Sequence, residues 1–312
     1  MPELPEVQTT VNGINEYLKG LTISDAWSGY NSASHKGADN IKDTVYFTYF
    51  KKEVTGAKIV NASRRGKNVL IHLSNGKTIL IHMKMTGHVM HGAYKKLPHK
   101  DAQGETWRPA DPTNKALNDS FNRFVHFVLA FTNETHMVMS DMRKFAKVTL
   151  IKSTELHTSP HLSSHGPEPL EDSFGVKEFK EAVLKKPNGP IKLVLMNPEI
   201  VSGIGNIYSD EILWLTGIHP LEKVKNIPEP KWPALLKVTK DVLNKGIDFG
   251  GDSMSDYRNI KGERGEFQNK HNAYRKTGEK CSKPGCKGKI IRLKMGGRSA
   301  HFCGTHQKPI KK

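Results

Sequence analysis

The hydrophobic pattern of this 312-residue chain switches from strand-like to helical near its middle, and that switch limits the possible folds more than any other feature. Residues 21 to about 150 read mostly as strands, whereas from residue 173 onward the apolar positions fall three and four apart, as on helix faces. Val69-Leu70-Ile71-His72-Leu73 and Thr78-Ile79-Leu80-Ile81-His82-Met83 flank Asn75-Gly76, a dipeptide suited to tight hairpins because both residues tolerate positive φ. Residues 124–131 and 137–139 form a second strand pair, turning at Thr132-Asn133-Glu134. On the helical side, Val176, Phe179, Val183 and Leu184 make one stripe, and Leu235, Leu236, Val238, Val242 and Leu243 another. Between the halves, residues 157–172 (HTSPHLSSHGPEPLED) carry no period and read as a linker. Residues 92–122 are polar and Lys-rich and read as a long surface excursion outside the core. The expected class is α+β in two domains, a β-sandwich followed by helices.

Charge narrows the partner. Lys and Arg number 48 against 31 Asp and Glu, a net +17, which suits a polyanion, nucleic acid before an acidic membrane surface. No run of about 18 apolar residues is present, and no basic start leads into an apolar core. The expectation is an intracellular protein with no membrane association.

All three cysteines lie after residue 280, in the pattern Cys281-x4-Cys286-x16-Cys303-x2-His306. Two close pairs separated by a hairpin-length spacer form the layout of one structural, four-coordinate zinc ion. The spacer itself reads as a β-hairpin, with Ile291, Leu293 and Met295 alternating, Gly296-Gly297 turning and Arg298 at the tip. His301 is also near enough in sequence to compete with His306 as the fourth ligand.

The first residues, Met1-Pro2-Glu3-Leu4-Pro5-Glu6, support two readings. Pro in the first turn and Glu near the positive end of the dipole are ordinary ways to start a helix, here one buried through Val7, Val11, Ile14 and Leu18. Methionine aminopeptidase is also expected to remove Met1. Pro2 would then carry a free secondary amine, able to attack a sugar carbon and form an iminium ion, with Glu3 as acid or base.

Three further stretches have a chemical reading beside a structural one. Val201-Ser202-Gly203-Ile204-Gly205-Asn206 opens a helix and is either a tight turn or a phosphate site, with Asn206 and Lys192 as donors. Ser63-Arg64-Arg65-Gly66-Lys67 is either a solvated strand end or a place where Lys67 meets a phosphate. Met85-Thr86-Gly87 and Asp141-Met142-Arg143-Lys144-Phe145 put Met85 and Phe145 either in the core or in loops that wedge into a duplex.

Together, PELPEV, HMKMTG, HGPEPL, GIGNIYSDEIL, GIHP and GGRSAHFC, in this order from Pro2 to His306, resemble the formamidopyrimidine-DNA glycosylase/endonuclease VIII family, the helix–two-turn–helix base-excision enzymes. The resemblance implies a bifunctional DNA glycosylase and AP lyase. It further implies Pro2 as the nucleophile, Glu3 as the proton donor, Glu6 as a supporting carboxylate, and Lys67 and Arg298 on the phosphates around the lesion. Asn206 and Lys192 would be backbone-phosphate ligands, and Met85, Arg143 and Phe145 would fill the gap left by an extruded nucleotide. It implies damaged double-stranded DNA as the partner, held between the domains of a monomer, without a small-molecule cofactor. The expected division is a catalytic β-sandwich domain at 1–156, a linker at 157–172, a helix–two-turn–helix domain at 173–275 and a zinc hairpin with a basic tail at 276–312.

The PELPE start, the Arg-x-Phe pair and the Gly250-Gly251 to Phe267-Gln268 stretch resemble the branch that removes oxidised purines such as 8-oxoguanine. That stretch matches the loop closing over the purine. The alternatives are the same chemistry on oxidised pyrimidines, and a non-catalytic nucleic-acid-binding protein that keeps only the Gly-Ile-Gly turn and the basic hairpin. The chain departs from the family in four places. The first cysteine gap is four residues and His306 replaces the last Cys. Asn122 stands where a DNA-contacting His is common, Pro187-Asn188 where a basic residue is frequent, and the 92–122 excursion is long.

Overall fold

The computed structural model describes residues 1–30, 33–98 and 106–310. It divides into two compact units, one of residues 1–162 with 249–266, the other of 163–248 with 267–312. This corrects the expected 173–275 domain. Residues 249–266 leave the helical unit and pack with the strands, through contacts described below.

The first unit opens on α1 (Leu4–Tyr17) and β1 (Ile23–Ser28), followed by α2 (Thr44–Val54). Then come β2 (Ile59–Arg65), β3 (Asn68–Leu73), β4 (Lys77–His82), β5 (His88–Gly92), the short β6 (Tyr94–Lys96) and β7 (Trp107–Pro109), β8 (Val125–Phe131), β9 (His136–Ser140) and β10 (Lys147–Lys152). Two antiparallel four-stranded sheets result, in the orders β1-β8-β9-β5 and β10-β4-β3-β2. The expected hairpins are present: Leu70 opposes Leu80 across β3–β4, and Val128 opposes Val138 across β8–β9. One buried cluster joins both sheets through Ile71, Ile79, Ile81, Phe127, Leu129 and Met139, and α1 adds Val7, Val11, Ile14 and Leu18. At about 1.5–3 kcal/mol for each fully buried aliphatic side chain, those four residues are enough to hold α1 on the sheets.

Residues 92–98 and 106–122 of the excursion are not the surface loop expected from composition, and 99–105 lie outside the described residues. The excursion's strands β6 and β7 pair, and Tyr94, Trp107 and Leu117 are buried against Met90, Val125, Val128 and Val138. These residues cover the outer face of β5, β8 and β9, so that sheet is apolar on both sides. Small and polar residues fill the sequence between widely spaced large side chains, and average polarity conceals such anchors.

The second unit contains α3 (Val176–Leu184), α4 (Ile191–Leu195), α5 (Asn206–Thr216), α6 (Lys231–Asp248) and the hairpin β11 (Ile290–Met295) with β12 (Arg298–Cys303). Gly217 in the left-handed conformation ends α5, accepting a geometry that a Cβ would strain. Gly296 and Gly297 both have positive φ, which gives the hairpin a two-residue turn that brings Met295 opposite Arg298. Among the described residues, no helix is long and apolar enough to cross a membrane.

Candidate active site and nucleic-acid interface

At the N-terminus the helix start and the chemical site are one object. The Glu3 amide donates to Glu6 Oε2 at 2.7 Å, closing a reciprocal capping box between Glu3 and Glu6. The other Glu6 oxygen accepts from the Asp252 amide at 2.7 Å, and the buried Tyr257 hydroxyl donates to the Glu6 carbonyl at 3.0 Å. Both carboxylates are therefore buried and oriented by backbone groups, as is Pro2 between them and the chain end.

The terminal amine, here that of Met1, has its proton affinity lowered, chiefly by burial. Glu3, Glu6 and Asp256 oppose that shift and Lys67 adds to it. Those interactions bring Glu3, Glu6 and Lys67, predicted from distant parts of the sequence, into one electrostatic neighbourhood. Asp256 joins them and was not anticipated, because nothing marks an isolated Asp in a polar loop. Lys67 follows Gly66, whose φ of 58° forms the β2–β3 turn, and Arg64 braces that turn by donating to the Gly66 carbonyl at 3.0 Å.

A second group of predicted residues sits on two loops joined by one buried carboxylate. Asp141 accepts from the Thr86 hydroxyl, from the Tyr30 hydroxyl at 3.0 Å and from the Ala146 amide at 2.8 Å. The Arg143 amide donates to Thr86 Oγ1 at 3.1 Å. Met85, Arg143 and Phe145 thus project from loops tied at their bases. Phe145 is 49 % exposed, Met85 is also exposed, and the Arg143 guanidinium lies 4.5 Å from the Phe145 ring centroid. Neither apolar side chain is core. Replacing Asp141 with Ala orphans three buried donors, at about 1–3 kcal/mol each. The expected result is a large drop in the urea midpoint with accelerated amide exchange at 85–87 and 142–146; an unchanged midpoint would refute the tie.

Two predicted donors are corrected. Lys192 is 0 % exposed and donates to Asp210 Oδ1 at 2.7 Å, Ser209 Oγ at 2.9 Å and the Asn206 carbonyl at 3.2 Å. Its charge is neutralised inside the unit, where it pins α4 to the start of α5 instead of facing a phosphate. Asn122 is 2 % exposed, with its Oδ1 2.8 Å from His88 Nε2 and its amide donating to the Ala116 and Gly262 carbonyls. With that side chain fully engaged, Asn122 is a structural joint. Burial lowers the pKa of its partner His88 to about 4, so the imidazole is neutral near pH 7.

In the second unit, Asn206 and Arg298 line one cavity of about 780 Å³, with Arg275, Arg292 and Lys294. Four cationic side chains and the N-terminus of α5 suit this cavity to a polyanion. Asp210 links its two sides by accepting from both the amide and Nδ1 of His301 on β12, at 3.0 and 2.9 Å.

That bond separates His301 from the cysteines. Cys281, Cys286, Cys303 and His306 form the cluster instead, with donor atoms within 4.8 Å of one another. The Cys286 and Cys303 sulfurs are 3.7 Å apart, too far for a disulfide and close to the ~3.8 Å edge of a tetrahedron with bonds near 2.3 Å. Nδ1 of His306 lies 3.4 Å from Cys281 Sγ, while Nε2 is 3.1 Å from the Trp214 carbonyl. That second contact leaves Nδ1 as the ligand nitrogen. The four residues fit a tetrahedral metal ion.

An amine among buried carboxylates on a β-sandwich, with a helical unit ending in a basic Cys/His hairpin, defines a two-part nucleic-acid enzyme. Residues 1–148 match the formamidopyrimidine-DNA glycosylase N-terminal domain, and 165–258 match the H2TH domain of the same enzymes. The chain is 30 % identical to the formamidopyrimidine-DNA glycosylase of Roseobacter denitrificans, over 99 % of its length and 100 % of the relative's. It is 31 % identical to that of Dinoroseobacter shibae, again over 99 % and 100 %. Among solved structures, the complex of Lactococcus lactis Fpg with DNA containing an abasic site superposes with a TM-score of 0.80 at 29 % identity, covering 98 % of this chain and 99 % of that one. MutM bound to DNA containing carbocyclic 8-oxo-G gives 0.79, also at 29 % identity, over 98 % and 100 %. The chain belongs to the formamidopyrimidine-DNA glycosylase family, DNA glycosylases of base-excision repair.

Proposed function

We propose that this protein removes oxidised purines from double-stranded DNA and then cleaves the abasic sugar, with the processed Pro2 amine as nucleophile. The observation that supports this reading is a buried, backbone-ordered chain start, with Pro2 beside Glu3 and Glu6 and with the Met1 amine one residue away in the electrostatic neighbourhood of Glu3, Glu6 and Lys67. The amine lone pair attacks C1′ of the damaged nucleotide, and the glycosidic bond breaks with its electrons leaving on the base. Glu3 supplies the proton that the leaving group or opening sugar requires. Loss of the amine proton and cleavage of C1′–O4′, with O4′ taking up a proton, then give an iminium ion that acidifies the C2′ hydrogen, so β- and then δ-elimination expel the two phosphates. Glu6 keeps the helix start and the 249–266 segment in place, while Lys67 and Arg298 hold the flanking phosphates. Met85, Arg143 and Phe145 occupy the gap left in the duplex.

Zinc is the metal best suited to the Cys/His cluster, because three thiolates and an imidazole at tetrahedral spacing match its ligand preference. When bound, it cross-links the hairpin that carries Arg298. The enzyme acts as an intracellular, DNA-associated monomer.

The test is borohydride trapping on duplexes with a single lesion, compared across 8-oxoguanine, a formamidopyrimidine and an oxidised pyrimidine. Trapping is expected with the purine lesions first; a preference for pyrimidines would reassign the substrate, and no adduct with any lesion would refute the lyase chemistry. Binding should weaken steeply with salt, and Arg298→Ala should reduce the log–log salt slope by about one. An unchanged slope would remove Arg298 from the phosphate contacts.

A further inference from the structure

The 249–266 segment is held at both ends of its span by elements far away in sequence. Near its start, Asp252 and Tyr257 bind Glu6 of α1. Further on, Arg258 is 2 % exposed and donates through one guanidinium nitrogen to both Asp119 oxygens, at 3.1 and 3.2 Å. The same guanidinium lies 4.8 Å from the Phe121 ring centroid. The Gly262 carbonyl accepts from Asn122, and the Ile260 carbonyl accepts from the His91 amide at 2.8 Å.

Ile260 itself is buried on α1 opposite Gly13, where a Cβ would approach Ile260 Cγ2 to 2.4 Å. Glycine is a poor residue in the middle of a helix, so its presence there is explained by the close approach of Ile260. Asp119, Phe121 and Asn122 all belong to the 92–122 excursion.

We propose that residues 106–122 of the excursion are a buttress that holds the 249–266 segment in its lesion-facing position before DNA arrives, with Arg258 and Asp119 as its positioning residues. The proposal rests on the oxidised-purine reading for its catalytic consequence only. The tether on the excursion side is separate from the Glu6 contacts. Releasing it loosens the part of the segment facing the base while leaving the amine site assembled. Base excision should therefore fall while cleavage of a preformed abasic site, which has no base to position, persists.

The variants are Asp119→Asn, which keeps an acceptor but removes the charge, and Gly13→Ala, which expels Ile260 without touching the excursion. Asp119→Glu is the conservative control. Hydrogen exchange of the DNA-free wild type is expected to show 249–266 protected, and both test variants should lose that protection at 258–264 while 252–257 and the β3–β4 hairpin keep theirs. In single turnover, excision of 8-oxoguanine should fall by about tenfold or more, cleavage of a preformed abasic duplex should stay within about twofold, and Asp119→Glu should recover much of the loss. Rapid exchange in the wild-type segment, or equal loss of both activities, would overturn the buttress. If the wild type excises no oxidised purine, the functional reading fails, and the exchange experiment still decides the tether.

Discussion

A form of the protein that keeps Met1 is expected to bind lesion-containing DNA but to lose excision and strand cleavage by on the order of 10³-fold or more, the scale on which a lost nucleophile is felt. With Met1 attached, Pro2 nitrogen is an amide without an available lone pair. The Met1 amine does not substitute, because it lies one residue further along the chain, about 3.8 Å away by Cα spacing, where a misplacement of about 1 Å can already cost 10²-fold. The processed amine benefits from its surroundings. In the unprocessed chain, burial and Lys67 lower the proton affinity of the Met1 amine, and the positive end of α1 acts in that direction on the Pro2 amine that processing exposes. Glu3, Glu6 and Asp256 act against this and keep the amine from being desolvated without compensation. Mass spectrometry of the intact chain, paired with borohydride trapping of the processed and unprocessed forms, is the measurement. An adduct that forms equally with Met1 in place would eliminate Pro2 as the nucleophile.

Removing the metal, or replacing Cys286 or His306 with Ala, is expected to unfold the β11–β12 hairpin and reduce DNA affinity by about 10–100-fold or more, as when structural metal ligands are lost. Apart from the ligands, the hairpin is held by the His301–Asp210 pair and by two small apolar clusters, one of Met295, Ala300 and Phe302, the other of Trp214, Ala273, Ile290 and the cysteines themselves. His306 also packs edge-on to Trp214, with ring centroids 5.4 Å apart, so its loss unseats the ligand shell from α5. Arg298 would leave the cavity it shares with Asn206, and the phosphate contacts proposed there would be lost together. Metal content by mass spectrometry should give one equivalent of zinc for the wild type and none for the variants. Exchange should rise across 281–306 while the β-sandwich strands keep their protection. A fully folded hairpin in a metal-free protein would show that the cluster is not what orders it.

The two-part architecture was readable because period is a local property. Val7, Val11, Ile14 and Leu18 predict the same helix stripe whatever they face, and Asn75-Gly76 predicts a turn from its own backbone preferences. The Cys/His hairpin was readable for a related reason, since metal ligands must recur at fixed spacings around a turn. Period failed for the 92–122 excursion, because the buried anchors Tyr94, Trp107 and Leu117, spaced irregularly among polar residues, leave no regular pattern to detect.

The residues in motifs were legible as candidates, but their tasks were not. Lys192 and Asn122 are polar side chains at plausible positions for phosphate contact, and only burial revealed that Asp210 claims the first and His88 and Gly262 the second. Lys and Asn carry the same donors whether they point outward or inward. The choice between His301 and His306 turned on the same point: both are close to Cys303 in sequence, and the pairing of His301 with Asp210, 91 residues away, resolves it.

By itself the sequence determined the elements, their order, the metal-type cysteine spacing and the family motifs. Each of these depends on residues within a few turns or strands of one another. Tertiary structure alone decided that Asp141 ties two loops, that Asp256 faces the terminal amine, and that 249–266 is seated by Asp119 and Gly13. These contacts range from 55 residues of chain, Thr86 to Asp141, up to 255, Met1 to Asp256, between groups whose identities permit many partners. Their selection comes from burial, which makes an unpaired polar group costly and leaves each one with the partner that the packed fold supplies.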